Sequence, residues 1–219
     1  MPDDLEGLRQ RLLEAALTHA AFDGWSPLLL RRAAADIDVS EAEAENAFPH
    51  GARDLLEYFS SETDREMLDA LEQTDLESLK VRERVSLAVQ TRLDLLLPHR
   101  EAVRRGLSFL AMPQNAGLGT RLLWRTADAI WWAAGDSATD HNYYSKRALL
   151  VGVYSSTLLV WLDDQSGAQS DSKAFLERRI DGALKVGGRL GASINQLLDL
   201  PDRLCGGLGR RRPLRRRSA

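Results

Sequence analysis

Apolar residues recur every three or four positions along most of the chain, a spacing typical of amphipathic helices. It predicts helices over residues 5–22, 26–37 and 40–48, the second with an N-cap at Ser26-Pro27. Ser40 and Glu43 have the spacing of a capping box at the start of the third helix. Because no stretch alternates with the period of two that a strand requires, we predict an all-α fold.

The later helices continue the same pattern. They are expected after Gly51, over residues 81–97, over 102–112, as a pair across 122–164, and over 172–185. Beyond Lys185 an apolar stripe is interrupted by glycines, which weaken a helix. We therefore predict a three-helix region at 1–60, a bundle at 61–184, and an amphipathic and basic tail at 185–219. This tail is either a helix lying on a membrane or a disordered end.

Half of the aromatic residues lie in the helix pair at 122–164, which holds four of the five tryptophans and three of the four tyrosines. Gly135 is predicted to end its first helix, and Thr139 or Asp140 to cap its second. A polar, aromatic start followed by an apolar run suits the opening of a cavity for a long lipid. The same composition also fits an ordinary buried hairpin whose aromatic residues are core.

Charge is distributed unevenly, although the net charge is only −3. Residues 36–77 hold fourteen acidic residues against two arginines, a local charge of −12, whereas the last seventeen residues hold seven arginines. No run reaches the roughly 18 to 20 apolar residues of a membrane span. The single Cys205 excludes an internal disulfide and favours a reducing compartment. Since the N-terminus lacks signal features, we expect a bacterial cytoplasm, unless a presequence was removed.

No motif of an enzyme or a metal site is found in the sequence. The four histidines, His19, His50, His99 and His141, are scattered, and none lies three residues after a glutamate, as the Glu-x-x-His pairs of a di-iron bundle require. No zinc-protease, nucleophile-elbow or phosphate-loop pattern occurs. We therefore predict no catalytic residue, no metal and no cofactor.

Three short helices before a larger bundle resemble the TetR-type regulators, and residues 48–55 resemble their F-P-x-x-x-x-x-L entry to the fourth helix. That likeness implies a bundle that dimerises and binds an apolar ligand. The helix that would enter a DNA groove, however, contains Glu41, Glu43 and Glu45 and no Lys or Arg. DNA binding depends on cations that displace counterions, so we predict a degenerate helix-turn-helix that binds no nucleic acid.

A second resemblance covers residues 122–180. It rests on four segments: WRTAD at 124–128, GDS at 135–137, DHNYYSKR at 140–147, with Tyr154 and Thr157 after them, and FLERRI at 175–180. These are similar to the pattern of the ubiquinone-biosynthesis lipid-binding family, the ninth Coq protein family. The resemblance implies a TetR-like fold that holds a lipid and assists the di-iron hydroxylase acting on demethoxyubiquinone.

Roles for individual residues follow from this resemblance. It implies that Tyr143 and Tyr144 contact the partner enzyme, with Asp140 and Ile130 beside them, and that Arg147 contacts lipid. The family pattern has Trp or Tyr at the position of Tyr143.

The residues of the apolar run suggest a cavity wall. Small side chains leave space beside larger apolar ones, and the candidates are Val151, Gly152, Ser155, Leu158 and Leu159. Arg147 near the opening would hold a head group. The alternative for Arg147 is an ion pair with Asp136 or Asp140.

We therefore predict a lipid-binding accessory protein, without catalysis of its own, that presents an isoprenoid quinone precursor to the demethoxyubiquinone hydroxylase. Phospholipid is a second possible ligand. The chain is expected to be a homodimer on the surface of the inner membrane. Two alternatives remain at this stage: a TetR-type ligand-responsive regulator, and a lipid chaperone without an enzyme partner.

Overall fold

A computed structural model describes the backbone of residues 2–135 and 141–198, and the side chains of residues 4–135, 143–183 and 185. Within these residues the chain forms helices and no strand. The helices are α1 (Pro2–Asp23), α2 (Leu29–Asp36), α3 (Glu41–Ala47), α4 (Ala52–Glu72), α5 (Val81–Leu96), α6 (Arg100–Leu110), α7 (Ala116–Ala133), α8 (His141–Asp163) and α9 (Ser170–Leu198). The predicted all-α fold is confirmed.

The helices pack around one apolar core. Helix α1 packs against α2 and α6, α4 against α5 and α7, and α8 against both α7 and α9. The core runs from Leu12 in α1 through Leu55 and Met67 in α4 to Trp161 in α8, all of which have no exposed surface. Among the described helices, none is both long enough and apolar enough to cross a bilayer.

The buried face of α1 differs from the predicted one. The predicted stripe ended at Phe22, which is 82% exposed, and Leu5 near its start is also exposed. Leu12 of the predicted stripe is fully buried, but the core also receives Leu13, Ala16, Leu17 and Ala20, which the stripe did not include. Both stripes have helical spacing, so periodicity alone did not choose between them.

Two predicted helix boundaries were wrong. Helix α2 begins at Leu29 rather than at Ser26-Pro27, because the chain first makes a turn in which the Leu29 amide donates to the Ser26 carbonyl at 3.1 Å. Helix α9 continues through the three glycines after Lys185 to Leu198. The boundary predicted at residue 185 is therefore not a helix end, and residues 199–219 lie outside the described part.

The two caps predicted for α3 and α7 are present. Ser40 Oγ accepts from the Glu43 amide at 3.3 Å, and the Glu43 carboxylate accepts from the Ser40 amide at 3.1 Å. Gly135 follows α7 with φ +83°, a conformation that favours glycine. The N-caps proposed for α8, Thr139 and Asp140, lie outside the described residues.

Ser40→Ala is expected to lower the free energy of unfolding by about 1 kcal/mol, the usual cost of losing a hydroxyl N-cap. Thermal unfolding followed by circular dichroism would show a melting temperature lower by about 2–4 °C. Ser40→Thr keeps the capping oxygen and is the control. Equal stability of all three proteins would contradict a role for this cap.

Candidate lipid-binding cavity

A cavity of about 590 Å³ lies between α4, α5, α6, α7 and α8. Most of its wall is apolar. The larger apolar side chains are Leu56, Phe59, Leu96, Leu107, Leu122 and Leu158. Its volume lies within the range of about 300–1,000 Å³ that small-molecule sites occupy.

Two glycines of the cavity wall, Gly106 of α6 and Gly119 of α7, lie where other residues pack closely against them. Gly106 allows α6 to lie close to α4 and to Trp25, which follows α1, since a Cβ there would come within 3.2 Å of both Leu56 and the Trp25 ring nitrogen. Trp25 is buried and donates to the Ala102 carbonyl at 2.9 Å, which holds the start of α6 in place. Gly119 faces Leu110 from α7 across ordinary contact distance.

The cavity opens to solvent beside the α6–α7 connection. Several of its wall residues there are exposed: Ser108, Ala111, Ala116 and Thr120. Leu159 of α8 lies at the same edge and is 60% exposed. This opening is therefore where an apolar molecule could enter the cavity.

One part of the wall is polar. The Arg92 guanidinium donates to Asp64 Oδ1 at 2.7 Å through Nε, to the Tyr154 hydroxyl through Nη1, and to Ser60 Oγ at 3.2 Å through Nη2. Thr126 donates to both oxygens of the same Asp64 carboxylate, at 3.0 and 3.1 Å. We call Ser60, Asp64, Arg92, Thr126 and Tyr154 the polar cluster; all but Asp64 lie on the cavity wall.

Burial perturbs the titration of this polar cluster. Burial by itself lowers the pKa of Arg92, but Tyr154 and the negative charge of Asp64 more than compensate, so the pKa of Arg92 is raised and it stays cationic. Burial also raises the pKa of Tyr154, against the opposing effect of Arg92. The tyrosine is therefore a neutral hydroxyl at physiological pH.

Only two of the five predicted wall residues of α8 face the cavity. Leu158 and Leu159 line it, whereas Val151, Gly152 and Ser155 do not. Gly152 is exposed, and a Cβ added there would meet no atom within 4 Å. These three residues lie one or two turns before Leu158 and Leu159 on the same side of α8, so the cavity borders only the later turns of the helix, from Tyr154 onward, and their contact with lipid stays a prediction.

Arg147 does not line the cavity either. Its side chain is 4% exposed and its Nε donates to Asp128 of α7 at 2.5 Å. Its guanidinium also lies 3.3 Å from the Tyr143 ring centre. Arg147 thus forms an ion pair that joins α7 to α8, and its contact with lipid stays a prediction; the alternative partners, Asp136 and Asp140, lie outside the described residues.

Two of the four residues predicted to contact a partner protein form a surface aromatic cluster. Tyr144 is 68% exposed, and its ring centre lies 5.0 Å from that of Tyr143 and 6.2 Å from that of Trp124. Tyr143 is partly buried and donates to Asp128 at 3.1 Å. Ile130 has no exposed surface, so it belongs to the core and not to this surface. Asp140 lies outside the described residues.

The polar cluster was missed by sequence reasoning, although a signal was present. Asp64 lies on the apolar face of α4 between Phe59 and Met67, and Arg92 lies next to Val89 and Leu93 on the apolar face of α5. Charged residues are rarely buried unless they are paired. Two opposite charges on apolar stripes are therefore a sign of a buried pair. Among the described residues, no three His, Cys, Asp or Glu side chains are grouped as metal ligands would be.

Comparison with known proteins identifies the family. The model of the COQ9 family matches residues 116–187, which include α7 and α8 of the cavity wall. The ubiquinone biosynthesis protein COQ9, mitochondrial, of Xenopus tropicalis is 33% identical over 210 residues, covering 93% of this chain and 65% of that protein. The chain belongs to the COQ9 family.

Another member supports this assignment, and one solved structure shows the fold. The human COQ9 protein is 32% identical over 189 residues, which are 83% of this chain and 59% of the human protein. The chain thus spans about three fifths of the length of its curated COQ9 relatives. A TetR transcriptional regulator from Nitrosomonas europaea superposes with a TM-score of 0.65 at 22% identity, over 81% of this chain and 98% of the regulator. The TetR-like fold is confirmed.

Proposed function

We propose that this COQ9-family chain acts in ubiquinone biosynthesis as a non-catalytic accessory protein. It holds an isoprenoid quinone precursor or a phospholipid in the cavity and presents the quinone precursor to the demethoxyubiquinone hydroxylase. The single observation that carries this proposal is the open, mainly apolar cavity of about 590 Å³ in a chain of this family. Each CH₂ group transferred from water into such a site contributes about 0.8 kcal/mol, so a long isoprenoid tail gains most from it.

Leu123→Trp tests the cavity as the lipid site. Leu123 lines the cavity from α7, so the larger ring would occupy space that ligand would fill. Losing room for two CH₂ groups predicts about a tenfold drop in the lipid retained per protein. Mass spectrometry of solvent extracts from the purified proteins measures the drop and identifies the lipid.

Leu87→Trp is the matched control, since Leu87 is also partly buried against the core but lies on α5 outside the cavity wall. It should retain lipid as the wild type does. Equal retention by all three proteins, or extracts without quinone or phospholipid, would refute the proposal.

The surface aromatic cluster is a candidate binding surface for the hydroxylase. Mutating it distinguishes this proposal from the alternative of a lipid chaperone that acts alone. An exposed aromatic ring with a polar tip is typical of an interface hot spot. Tyr144→Ala is expected to abolish co-purification with the hydroxylase while lipid retention persists. Phe22→Ala removes a ring that is 82% exposed on α1 and should leave the complex intact. If both variants retain the hydroxylase, Tyr144 is not at the interface.

Helix α3 argues against the alternative of a DNA-binding regulator. Glu41, Glu43 and Glu45 are all exposed on it, and a duplex would meet these negative charges. On the preceding helix, Arg31 already lies 3.8 Å from Glu41. Salt-dependent binding to a duplex at physiological ionic strength would restore the alternative.

We further propose that the chain is a homodimer that docks on a membrane through its arginine-rich tail, in a bacterial cytoplasm. Anionic lipid attracts such segments by about 1 kcal/mol per basic residue near the surface. The named relatives are mitochondrial proteins. Sedimentation velocity would distinguish a homodimer, with twice the mass of one chain, from a monomer of 24.4 kDa. Flotation with phosphatidylglycerol vesicles, with and without residues 199–219, tests the docking.

A further inference from the structure

Two side chains of the polar cluster that line the cavity have hydrogen-bond donors with no acceptor among the described residues. Tyr154 is 2% exposed and its oxygen accepts from Arg92, but among the described residues none accepts its hydroxyl proton. Arg92 has five N–H groups, and its Nη1 makes one hydrogen bond to the described residues, the one to Tyr154. Both side chains line the cavity. A buried donor without an acceptor is costly, so this part of the wall is suited to an acceptor on the ligand.

The charge of the polar cluster restricts what that acceptor is. The cation of Arg92 is balanced by the carboxylate of Asp64, which Thr126 also contacts, so the polar cluster is close to neutral. A phosphate group placed there would add a buried negative charge without a free cation to pair it. A carbonyl or ether oxygen, in contrast, accepts a hydrogen bond and brings no charge.

The position of the polar cluster restricts the orientation of the ligand. Arg92 and Tyr154 are 4% and 2% exposed, whereas the rim formed by Ser108, Thr120 and Leu159 is exposed. An oxygen atom that reaches the polar cluster is therefore inside the cavity, and an attached apolar chain extends past the leucine side chains toward the rim.

We propose that the cavity binds a neutral lipid head first, with a carbonyl or ether oxygen of its ring accepting hydrogen bonds from Tyr154 and Arg92 while its tail extends to the rim. This inference rests on the proposed function, because it assigns the ligand class and orientation within the same cavity. A phospholipid would bind the other way, with an acyl chain beside the polar cluster and its head group at the rim. Tyr154 is thus a specificity-determining residue, which favours ligands that have a carbonyl or ether oxygen on the ring.

The affinity test compares two probes that share a ten-carbon tail on a six-membered ring. Decylubiquinone carries ring oxygens and decylbenzene carries none. The affinity of each compound is measured by its displacement of the neutral fluorescent probe N-phenyl-1-naphthylamine from the full-length protein. The affinity of that fluorescent probe is measured separately for every variant. Tyr154→Phe is expected to weaken decylubiquinone about fivefold to tenfold, the effect of losing one hydrogen bond, and to leave decylbenzene unchanged.

Tyr58→Phe is the matched control. It also removes one hydroxyl, which donates to Glu6 at 2.7 Å on the surface and does not line the cavity. It should change neither affinity. An equal change in both probes for Tyr154→Phe, or no change in either, would overturn the inference.

Infrared spectroscopy measures the carbonyl stretching band of the bound quinone, which would not change if Tyr154 had only a structural role. A hydrogen-bonded carbonyl of bound decylubiquinone should have its stretching band at lower wavenumber than in hexane, and this shift should decrease in Tyr154→Phe. The wild-type spectrum tests the inference even if the variant fails to fold, since an unshifted band refutes it. Dihexanoylphosphatidylglycerol displacing the fluorescent probe more weakly in Tyr154→Phe would also refute it.

The outcomes separate this inference from the proposed function. If neither decylubiquinone, decylbenzene nor the phospholipid displaces the fluorescent probe, the cavity is not a lipid site and both proposals fail. If they displace it but the two decyl probes respond equally to Tyr154→Phe and the carbonyl band is unshifted, only the head-first orientation fails.

Discussion

Arg92→Met is expected to lower the free energy of unfolding by about 3–5 kcal/mol, the largest effect we anticipate from a single substitution. Arg92 and Asp64 are 4% and 8% exposed, and their side chains meet at 2.7 Å between α5 and α4. Removing the guanidinium leaves the Asp64 carboxylate buried with only the hydroxyl of Thr126 as a donor among the described residues. Tyr154 and Ser60 lose a donor as well.

Urea denaturation of the wild type, of Arg92→Met and of the double variant Arg92→Met with Asp64→Leu measures this effect. The double variant removes both charges and should recover much of the loss, because the cost comes from an unpaired buried charge. Arg65→Met is the control: Arg65 pairs with Glu62 and Asp69 on the surface, where such pairs contribute about 1 kcal/mol or less. If Arg92→Met costs no more than Arg65→Met, the pair does not hold the bundle together.

Asp164→Ala is expected to cost about 3 kcal/mol, since it removes the acceptor of several charge-assisted hydrogen bonds at the α8–α9 connection. The Asp164 carboxylate accepts from the amide and hydroxyl of Ser166, at 2.8 and 2.5 Å, and from the amide and hydroxyl of Ser172, at the same two distances. Ser172 is 2% exposed, so its hydroxyl would be left buried. Asp163→Ala, one residue earlier and on the surface, is the control.

This contribution of Asp164 should depend on pH. Burial by itself raises its pKa, but the hydrogen bonds from Ser166 and Ser172 lower it well below the usual value of 3.8. A lowered pKa in the folded state means that the stabilisation is fully present above pH 3.8 and is lost as the pH falls below it. The difference in unfolding free energy between wild type and Asp164→Ala, measured from pH 7 down to pH 3, should therefore shrink only at the acidic end. A difference that stays constant over this range would show that the ionised carboxylate is not the stabilising form.

Much of the helical framework could be predicted from residue spacing. The Ser40 capping box, Gly51 before α4 and Gly135 after α7 depend on interactions within a few residues, and all three lie where the sequence places them. The errors occurred where local preferences compete. Helix α9 continues through glycines that weaken a helix, and α2 starts after an extra turn.

The candidate site could be predicted only in part. The motif at residues 122–180 led to the helices α7 and α8 that contribute to the cavity, and Leu158 and Leu159 do line it. Arg147, Val151, Gly152 and Ser155 lie earlier on the same side of that helix and do not, because packing against the other helices fixes how far along α8 the cavity extends, and spacing alone does not give that position. Tyr154 was noted as a motif residue, but its neighbour Arg92 lies 62 positions away in the chain.

The sequence by itself determined that this chain is helical, where most of its helices begin and end, and to which family it belongs, because helical spacing, caps and motifs depend on residues close together in the chain. Only the tertiary structure decided which face of each helix borders the cavity, that Arg147 pairs with Asp128, and that Asp64, Arg92 and Tyr154 meet. These features arise from packing between helices that are far apart in sequence. The spacing of residues within one helix does not reveal how five helices pack around the cavity.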